Sequence, residues 1–360
     1  MTGARGVLVT GAAGHVGADT VARLVRSGHH VVALVHRRAE IVANNGRAVR
    51  PARTVYGDVR APGFGLDAGT RRELAGEIDV IVHGAAVTDF GLPEHRYTEL
   101  NVQGTAHAVA CAREWGADLL YVSTAYVCGE YDGTFTEDQL DVGQRFGNDY
   151  ERSKFQAEQL VRACGLRWAI VRPGIVSGEY RTGHSREHKH IYQVLKLIVE
   201  GKLQTLPGNY AATLGLSPIG HVADTIAAVA GQVGSHAGHT FHAVGAAPVS
   251  LRTMSDILAE YPSFRVADFV PPATFDPDDL DDIERGYYDK VGRLYTSYLS
   301  RRVCFDSTTT RDRLGICAPH AGAGYFRRIL DSCLRTGYLG RPQPSIAEVL
   351  ATWQTESSPA

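Results

Sequence analysis

The sequence has no apolar run long enough to cross a membrane, no excess of positive charge and no closely spaced pair of cysteines. A membrane span needs roughly 20 apolar residues, and the amino-terminal segment also lacks the charged and apolar regions of a secretory signal. The formal charge of −2 over 360 residues is not the basic footprint of a nucleic-acid-binding protein. We therefore expect a soluble, cytoplasmic protein whose partners are neither membranes nor nucleic acids.

The distribution of cysteine and histidine argues against a metal site. Without a C-x-x-C pair, the six cysteines do not form a zinc ribbon or a redox dithiol. Three histidines lie within residues 184–190, but their spacing does not match a helical pair of metal ligands. We interpret residues 181–190 as a solvated loop; the alternative is a loop that contacts an anion or closes over a ligand.

Short β-branched runs alternate with longer helical stretches in the first half of the chain. Strands are predicted at residues 6–10, 30–35, 55–57, 80–83, 119–123 and 168–172, and helices at 18–27, 71–75, 102–115 and 150–164. Such alternation is typical of a parallel sheet covered by helices, and nearly all-apolar strands are buried on both faces. The sequence therefore predicts an α/β fold with a Rossmann-type doubly wound parallel sheet.

A glycine-rich segment follows the first predicted strand and leads into the first predicted helix. Gly11 permits a tight turn, Gly14 lets the backbone approach a pyrophosphate, and Gly17 allows the helix to pack closely on the strand. The helix N-terminus attracts negative charge. We therefore predict a dinucleotide site, with contacts from Thr10, Gly11, Ala13, Gly14, His15, Val16 and Gly17.

The end of the second predicted strand distinguishes between the two nicotinamide cofactors. An NAD enzyme usually has Asp or Glu there for the ribose 2′-hydroxyl, whereas arginine suits the 2′-phosphate of NADP. Here the strand ends in Leu-Val-His-Arg-Arg, with no carboxylate before Glu40. We predict NADP(H), with Arg37 as the main phosphate ligand and His36 or Arg38 assisting. The alternative is that these cations belong to an ordinary surface loop.

Two later segments add to the predicted cofactor site. Asp58 and Val59 follow the third predicted strand, where a carboxylate is expected against the adenine amino group. The small residues Ala85 and Ala86 follow the fourth predicted strand, where the backbone has to pass the cofactor.

Tyr150 and Lys154 lie four residues apart at the start of a predicted helix, and therefore on one face of it. A nearby cation favours the phenolate, so we expect the pKa of Tyr150 to be lowered toward a range useful for proton transfer. The pattern gains weight because an apolar strand ending in the hydroxyls of Ser123 and Thr124 precedes it, and another strand follows it.

Together these segments resemble the extended short-chain dehydrogenase/reductases. The resemblance covers about residues 5–230, and the motifs that carry it are residues 10–17, 58, 83–86, 101–105, 123–127, 150–154 and 172–174. Residues 83–90 and 171–178 look most like the thioester reductase and fatty acyl reductase branch. Those relatives use NADPH to reduce carrier-bound or CoA-bound acyl thioesters.

The resemblance implies a role for each residue of the catalytic centre. Thr124 would supply the hydroxyl that binds the carbonyl oxygen, with Ser123 a weaker candidate, and Tyr150 would donate the proton. Lys154 would hold the nicotinamide ribose and tune Tyr150. Asn101 is expected to order nearby backbone or water, and Pro173 to lie beside the cofactor.

After Pro173 the sequence changes to loops rich in Gly, His and Pro, which predicts a smaller lobe built from C-terminal segments. We expect an NADP(H)-binding domain at residues 1–175, to which residues 212–245 return, and a smaller C-terminal substrate-binding lobe at 176–211 and 246–345, followed by a tail at 346–360. Ligands of open α/β sheets bind beyond the carboxyl ends of the strands. The predicted substrate pocket therefore comprises Thr88, Phe90, Tyr126, Ile175 and Val176.

Several functions stay open at this point. The sequence contains no adenylation or carrier module, so an acyl group would have to arrive from elsewhere, and a free aldehyde or ketone is an alternative substrate. A nucleotide-sugar epimerase or dehydratase is a second alternative, disfavoured by the missing acidic residue after Val35. A non-catalytic NADP(H)-binding protein would have little need for Tyr150 and Lys154. A homodimer is compatible with the sequence.

Overall fold

The computed structural model describes residues 3–341, so the predicted tail at 346–360 lies outside the described residues. The strands, in chain order, are β1 (Gly6–Thr10), β2 (His30–Val35), β3 (Arg53–Tyr56), β4 (Val80–His83), β5 (Asp118–Val122), β6 (Gly133–Phe135), β7 (Trp168–Pro173), β8 (Ile175–Ser177), β9 (Thr205–Pro207), β10 (Thr213–Leu214), β11 (Leu216–Pro218), β12 (His239–Ala243), β13 (Val249–Ser250), β14 (Asp268–Val270) and β15 (Val303–Phe305).

The helices, in chain order, are α1 (His15–Arg26), α2 (Ala68–Glu77), α3 (Glu94–Tyr97), α4 (Gly104–Trp115), α5 (Asp149–Arg162), α6 (Ile191–Val199), α7 (Ile219–Gly231), α8 (Leu251–Leu258), α9 (Asp282–Lys290), α10 (Thr308–Leu314) and α11 (Ala323–Arg335). A π-helical turn, Thr98–Gln103, precedes α4. Short 3-10 turns include Ala125–Cys128 after β5 and Gly292–Tyr295 after α9.

A central sheet of seven parallel strands has the order β3-β2-β1-β4-β5-β7-β12. The strand order reverses between β1 and β4, which is the switch point where open α/β sheets bind ligands. Six of these strands match the sequence prediction, with ends that differ by two residues at most. The predicted Rossmann-type fold is confirmed.

The register of the central strands brings their carboxyl ends to one edge. Thr10 of β1 pairs with His83 of β4, and His83 in turn pairs with Tyr121 of β5. The glycine-rich segment after β1, the segment after β4 and the hydroxyls after β5 therefore start at the same level of the sheet. This common edge positions the candidate site.

Both faces of the sheet are covered by apolar helix surfaces. Helix α1 buries Val21 and Leu24 against one face together with α7, whose Ile226 is also buried. On the other face, Leu74 of α2 and Val161 of α5 are buried. A fully buried aliphatic side chain contributes about 1.5–3 kcal/mol, so these two layers provide much of the stability of the sheet.

A third buried cluster is formed by segments that follow β7, including α6, α8 and α11, and it extends back to the 3-10 turn after β5. Small two-stranded sheets connect these segments: β8 with β11, β9 with β14, β10 with β13, and β6 with β15. Helix α7 packs against α1, and strand β12 pairs with β7. Both elements lie within residues 212–245. The domain boundaries given above stay predictions.

No helix within residues 3–341 combines the length and apolar character required to span a bilayer.

Candidate functional site

A cavity of about 510 Å³ lies at the carboxyl edge of the sheet, and a smaller one of about 120 Å³ adjoins it. Thr124, Tyr150 and Val176 line both. The larger cavity has the volume of a small-molecule site, for which roughly 300–1,000 Å³ is usual. It connects the glycine-rich segment with the C-terminal part of the molecule.

Most of the predicted site residues lie around these cavities. The larger cavity is lined by Gly11, Ala13, Gly14, His15, Val16, Gly17, Ala86, Thr88, Phe90, Thr124, Tyr126, Tyr150, Ile175 and Val176. Thr10, Lys154 and Pro173 line the smaller cavity. The predicted residues that line neither are His36, Arg37, Asp58, Val59, Ala85 and Asn101.

The glycine-rich segment has the close packing that its sequence predicts. Gly11 has a φ of +70°, and a Cβ on Gly17 would lie 2.0 Å from the carbonyl oxygen of Gly11. Gly14 caps α1 without a side-chain hydrogen bond, and the first turn of α1 carries no acidic residue. The first amides of α1 therefore provide the electropositive surface that suits a pyrophosphate.

Thr10 ties β1 to the segment after β4. Its Oγ1 accepts hydrogen bonds from the amides of Gly84 (3.2 Å) and Ala85 (3.1 Å) and lies 2.9 Å from Nδ1 of His83. Burial lowers the pKa of His83 to about 3, so this imidazole is neutral at physiological pH. Thr10 and Ala85 therefore fix the shape of the edge beside the cavity.

Tyr150 and Lys154 occupy the first turns of α5, whose N-cap Asn148 accepts a 2.9 Å hydrogen bond from the amide of Glu151. Lys154 is buried; its Nζ donates to the carbonyl oxygen of Val122 at 2.8 Å and lies 4.3 Å from the ring centroid of Tyr121. Burial lowers the pKa of Lys154 to about 7, although the charge of Glu158 opposes this change.

The pKa of Tyr150 is raised, because burial outweighs a hydrogen bond with Thr124 that acts in the opposite direction. The lowering of the Tyr150 pKa expected from the sequence is therefore wrong for the protein without ligands. Tyr150 keeps its proton at neutral pH in this structure.

Thr124 and Ser123 differ in what their hydroxyls contact. Thr124 Oγ1 accepts from the amide of Tyr126 and donates to the carbonyl of Pro173, both at 3.3 Å. The Ser123 hydroxyl instead donates to the buried carboxylate of Glu158 at 2.8 Å. Only Thr124 of the two lines the larger cavity, which favours it over Ser123 as the hydroxyl beside Tyr150.

Asn101 lies in the π-helical turn and positions other residues. Its Oδ1 accepts from the amide of Val87 (2.9 Å), while Nδ2 donates to the carbonyl of Val87 (3.1 Å) and to Ser153 Oγ (2.9 Å). Ser153 in turn donates to the carbonyl of Tyr150 at 2.8 Å. Asn101 thereby links the segment after β4 to the helix that carries Tyr150.

The cations after β2 are exposed, and Arg38, rather than Arg37, lines the larger cavity. Asp58 pairs with Arg60 at 2.6 Å and lies 3.5 Å from Nε2 of His36. The hydrogen bond from Arg60 lowers the pKa of Asp58 to about 2, so this carboxylate is ionised. The roles of Arg37 and Asp58 at the cofactor stay predictions.

Residues 181–190 do not form a merely solvated loop, so that interpretation is wrong. Glu187, Lys189 and His190 line the larger cavity. The loop is also fixed against the first half of the chain, because Asn44 donates to the carbonyl of His184 at 2.9 Å and accepts from the amide of Arg186 at 2.8 Å. Across residues 3–341, no group of three or more potential metal-ligand side chains occurs.

Sequence reasoning missed the part of the cavity wall that comes from Leu214, Tyr295, Tyr298 and Leu299. The nearest signal is the run Leu-Tyr-Thr-Ser-Tyr-Leu at residues 294–299, where two tyrosines and two leucines interrupt a polar region. Nothing in that run indicates which cavity it lines.

A family model described as "Male sterility protein" matches residues 9–226 of the chain. The chain belongs to the male sterility protein family. The match covers the glycine-rich segment, Tyr150, Lys154 and the first part of α7. It confirms the resemblance to the thioester reductase and fatty acyl reductase branch, and with it an NAD-binding fold of the extended short-chain dehydrogenase/reductase type.

Curated relatives of this male sterility family member are much longer proteins. It is 30% identical over 288 residues to glycine betaine reductase of Emericella nidulans, which covers 72% of this chain and 22% of that protein. It is 27% identical over 260 residues to the large subunit of L-2-aminoadipate reductase of Penicillium chrysogenum, and this match covers 62% of this chain and 18% of that protein. The chain spans about a fifth of the length of these relatives.

A solved structure similar to this male sterility family member along nearly its whole length is the terminal R domain from the myxalamid PKS-NRPS biosynthetic pathway. The TM-score is 0.78 at 27% identity, covering 95% of this chain and 94% of that one. MoeE5 in complex with UDP-glucose and NAD has a TM-score of 0.67 at 21% identity, covering 92% of this chain and 99% of that one. This similarity shows only that the two proteins share a fold.

Proposed function

We propose that this chain is an NADPH-dependent reductase that acts on the carbonyl group of an acyl thioester or an aldehyde. The observation that carries the proposal is a single cavity lined by the glycine-rich segment, by Thr124 and Tyr150, and by apolar side chains from the C-terminal part of the chain. The names of the relatives, two reductases and a terminal R domain, support this reaction class.

The residues present fit a dinucleotide. A Cβ at Gly17 would collide with the backbone of Gly11, and the uncapped N-terminus of α1 lies at the cavity wall, as binding of a pyrophosphate requires. Lys154 would hold the nicotinamide ribose from the smaller cavity. When bound, the reduced nicotinamide supplies a hydride to the carbonyl carbon.

The chain's own residues would manage the charge that develops on the carbonyl oxygen. Tyr150 keeps its proton at neutral pH and would donate it to this oxygen. The Thr124 hydroxyl, which donates to the carbonyl of Pro173 in this structure, would turn its one proton to the same oxygen. Such a donor is commonly worth about 3–4 kcal/mol in the transition state. Reduction of a thioester breaks the carbon–sulfur bond and releases a thiol, whereas reduction of an aldehyde gives an alcohol and no thiol.

The preference for NADPH is supported by the residues after β2, where Arg38 lines the cavity and no carboxylate precedes Glu40. We expect NADPH to bind more tightly than NADH in a fluorescence titration. Replacing Arg38 or Arg37 by Ala should reduce the difference in binding free energy between NADPH and NADH by about 1–3 kcal/mol, the usual value of a hydrogen bond to a charged group. The exposed Arg47→Ala serves as a control that should leave it unchanged. Equal affinity of the unaltered protein for the two cofactors would contradict this choice.

The reaction itself is tested by measuring thiol release beside NADPH oxidation, with acyl-CoA and acyl-carrier thioesters and with the matching aldehydes. Cys304 and Cys317 are exposed and free, so thiol is counted against an enzyme-only blank. Equal amounts of thiol and of aldehyde-level product would support thioester reduction. NADPH oxidation with the aldehydes, but neither NADPH oxidation nor thiol release with the thioesters, would leave a carbonyl reductase only. Conversion of a nucleotide sugar with no net change in nicotinamide absorbance would replace the proposal by the epimerase or dehydratase alternative.

A further inference from the structure

Four aromatic side chains, Phe90, Tyr126, Tyr295 and Tyr298, form a continuous part of the larger cavity's lining, here called the aromatic wall. The ring centroids of Phe90 lie 5.2 Å from Tyr295 and 5.6 Å from Tyr298, and those of Tyr126 and Tyr298 are 4.7 Å apart. Favourable aromatic pairs have centroids roughly 4.5–7 Å apart, so these rings support one another.

The aromatic wall begins next to the proposed proton donor. The centroid of Phe90 lies 5.8 Å from that of Tyr150. Leu214 and Leu299 also line the cavity. Leu299 directly follows Tyr298, and Leu214 precedes Gly215, whose amide donates to the Tyr126 hydroxyl at 3.1 Å. A carbonyl group at Tyr150 would therefore have its attached carbon chain directed along the aromatic wall.

The charged side chains that line the cavity are not part of the aromatic wall, although Lys189 precedes His190, whose ring centroid lies 5.4 Å from that of Phe90. Among the described residues they are Arg38, Glu187 and Lys189. The charges of Glu187 and Lys189 act on His15, which places both near the start of α1. The guanidinium of Arg301, which contacts the aromatic wall, does not line the cavity and is already paired with Glu151 at 2.6 Å. A charged group on the substrate would therefore have no free opposite charge at the aromatic wall, and burying an unpaired charge is costly.

A cation already occupies one face of two rings of the aromatic wall. The guanidinium of Arg301 lies 4.5 Å from the ring centroid of Tyr298 and 5.3 Å from that of Tyr126. Aromatic cages bind quaternary ammonium groups through the negative faces of their rings. Arg301 already contacts these rings and carries a positive charge. A cationic group of the substrate would therefore bind the rings less favourably than an uncharged aromatic group would.

We infer that the acyl part of the substrate is an uncharged, apolar and preferably aromatic group that stacks on the aromatic wall. This inference rests on the proposed reductase function, which places the carbonyl group at Tyr150 and Thr124. It names Phe90 and Tyr298 as residues that determine specificity.

The inference is tested with aldehydes of similar size and different character: 3-phenylpropanal, hexanal, betaine aldehyde and succinic semialdehyde. With NADPH, kcat/KM for 3-phenylpropanal should exceed that for the two charged aldehydes by on the order of 100-fold or more, because the charged groups lose solvation without a partner. Phe90→Leu should lower kcat/KM for 3-phenylpropanal about 3- to 10-fold, because the phenyl group of the substrate loses one ring on which to stack. The decrease for hexanal should be smaller.

Matched variants separate stacking from general damage. Tyr131→Leu is the control, because Tyr131 packs on Phe135 and does not line the cavity; it should leave the ranking of the aldehydes unchanged. Tyr298→Leu should act like Phe90→Leu. Tyr298 is only 6% exposed, so Phe90, which is half-buried, provides the test if that variant fails to fold.

Binding measured without turnover distinguishes failure of the inference from failure of the proposed function. Equilibrium dialysis of 3-phenylpropan-1-ol and choline is carried out with and without NADP⁺. If the phenyl alcohol binds at least about 10-fold more tightly than choline while no aldehyde is reduced, the preference of the cavity for an aromatic group holds and the reductase proposal fails. If choline binds as tightly, the inference is overturned whatever the turnover. If betaine aldehyde is the better substrate, the inference is overturned and the reductase proposal stands. If neither 3-phenylpropan-1-ol nor choline binds, the inference is overturned as well.

Discussion

At the scale of single residues, burial sets the protonation states at the site. The spacing of Tyr150 and Lys154 predicts that the cation lowers the pKa of the phenol, yet burial raises the pKa of Tyr150 and lowers that of Lys154 to about 7. The sequence shows which groups are neighbours on one helix face but not how much solvent they lose. Near neutral pH the phenol is therefore protonated, and the amine is close to its midpoint.

Tyr150→Phe tests the proton donor. The change keeps the shape of the side chain and removes the transferable proton, so kcat should fall at least ~100-fold, the usual scale for acid–base groups. Binding of NADPH, measured by titration, should largely survive. Tyr131→Phe, outside the cavity, is the control. Near-normal turnover by a folded Tyr150→Phe protein would remove Tyr150 from the mechanism.

The pKa of Lys154 predicts proton uptake when a nicotinamide cofactor binds. With a pKa of about 7 in the unliganded protein, a good part of Lys154 is uncharged at pH 7.5. Hydrogen bonds to the ribose and a nearby pyrophosphate favour the charged ammonium and so raise this pKa. The affinity for the cofactor is therefore higher below the Lys154 pKa of the unliganded protein, and it decreases as pH rises through about 7.

Calorimetric titration of NADPH at pH 7.5 in buffers of different ionisation enthalpy measures the protons taken up. We expect a fraction of one proton in the unaltered protein. Lys154→Met, which cannot take up a proton, should lose this contribution, while any contribution from His15 remains. Identical uptake by both proteins would show that Lys154 is already charged before the cofactor binds.

At the scale of elements, the contact between α1 and the segment before it depends on Gly17. A Cβ there would lie 2.0 Å from Gly11 O and 3.0 Å from the Cα of Ala12, both backbone atoms. We expect Gly17→Ala to displace α1, to weaken NADPH binding at least ~10-fold and to cost about 1–3 kcal/mol of stability, as overpacking usually does.

Gly286→Ala is the matched control for this prediction. Gly286 lies inside α9, and a Cβ at this position would have nothing within 4 Å. Alanine favours a helix over glycine by about 1 kcal/mol, so this variant should be slightly more stable in urea denaturation and bind NADPH normally. If Gly17→Ala behaved like Gly286→Ala, the close approach of α1 to the glycine-rich segment would not matter for binding.

The sequence predicted the elements whose pattern is local and missed those that tertiary contacts define. Strands β1, β2 and β4 are apolar runs bounded by turn residues, and their bounds agree with the prediction. Strand β12 reads His-Thr-Phe-His-Ala and was missed. Two of its polar side chains are buried because distant groups satisfy them: Thr240 Oγ1 accepts from Arg162 at 3.1 Å, and Nε2 of His242 lies 3.3 Å from Nη1 of Arg172.

The start of α4 shows the same limit at the candidate site. The predicted helix began at residue 102, whereas the structure has a π-helical turn at Thr98–Gln103. This turn carries Asn101, whose amide binds both backbone groups of Val87. A local helical pattern cannot reveal a side chain that is held by another segment. The glycine-rich segment and Tyr150 were predictable because their function requires a fixed local spacing.

At the scale of the whole molecule, two buried ion pairs hold α5 between the sheet and the C-terminal part of the chain. Glu158 pairs with Arg172 of β7 at 2.6 Å, and Glu151 pairs with Arg301 at 2.6 Å. Burial alone would raise the pKa of Glu158, but the Arg172 guanidinium keeps it below its ordinary value. The sequence does not reveal either pair, because the partners lie on different elements, 14 positions apart in the first pair and 150 in the second.

The pair formed by Glu151 and Arg301 gives a prediction about how the two parts of the molecule are coupled. Arg301 also donates to Ser297 and to the carbonyl of Gly129, and it covers two rings of the aromatic wall. Arg301→Met leaves the carboxylate of Glu151 buried without its partner, which typically costs about 3–5 kcal/mol. Because Glu151 follows Tyr150 directly, we expect kcat to decrease together with the free energy of unfolding in urea.

A double-mutant cycle and a neighbouring control isolate this pair. Glu151→Gln combined with Arg301→Met should be more stable than Arg301→Met alone, because it removes the unpaired buried charge. Arg302→Met breaks an exposed contact with Asp132 at 3.3 Å and should cost only ~0–1 kcal/mol. If the costs of Glu151→Gln and Arg301→Met simply added, or if Arg302→Met were as destabilising as Arg301→Met, the ion pair would not couple α5 to the C-terminal part. The aromatic wall and Tyr150 would then be held in register by apolar packing alone.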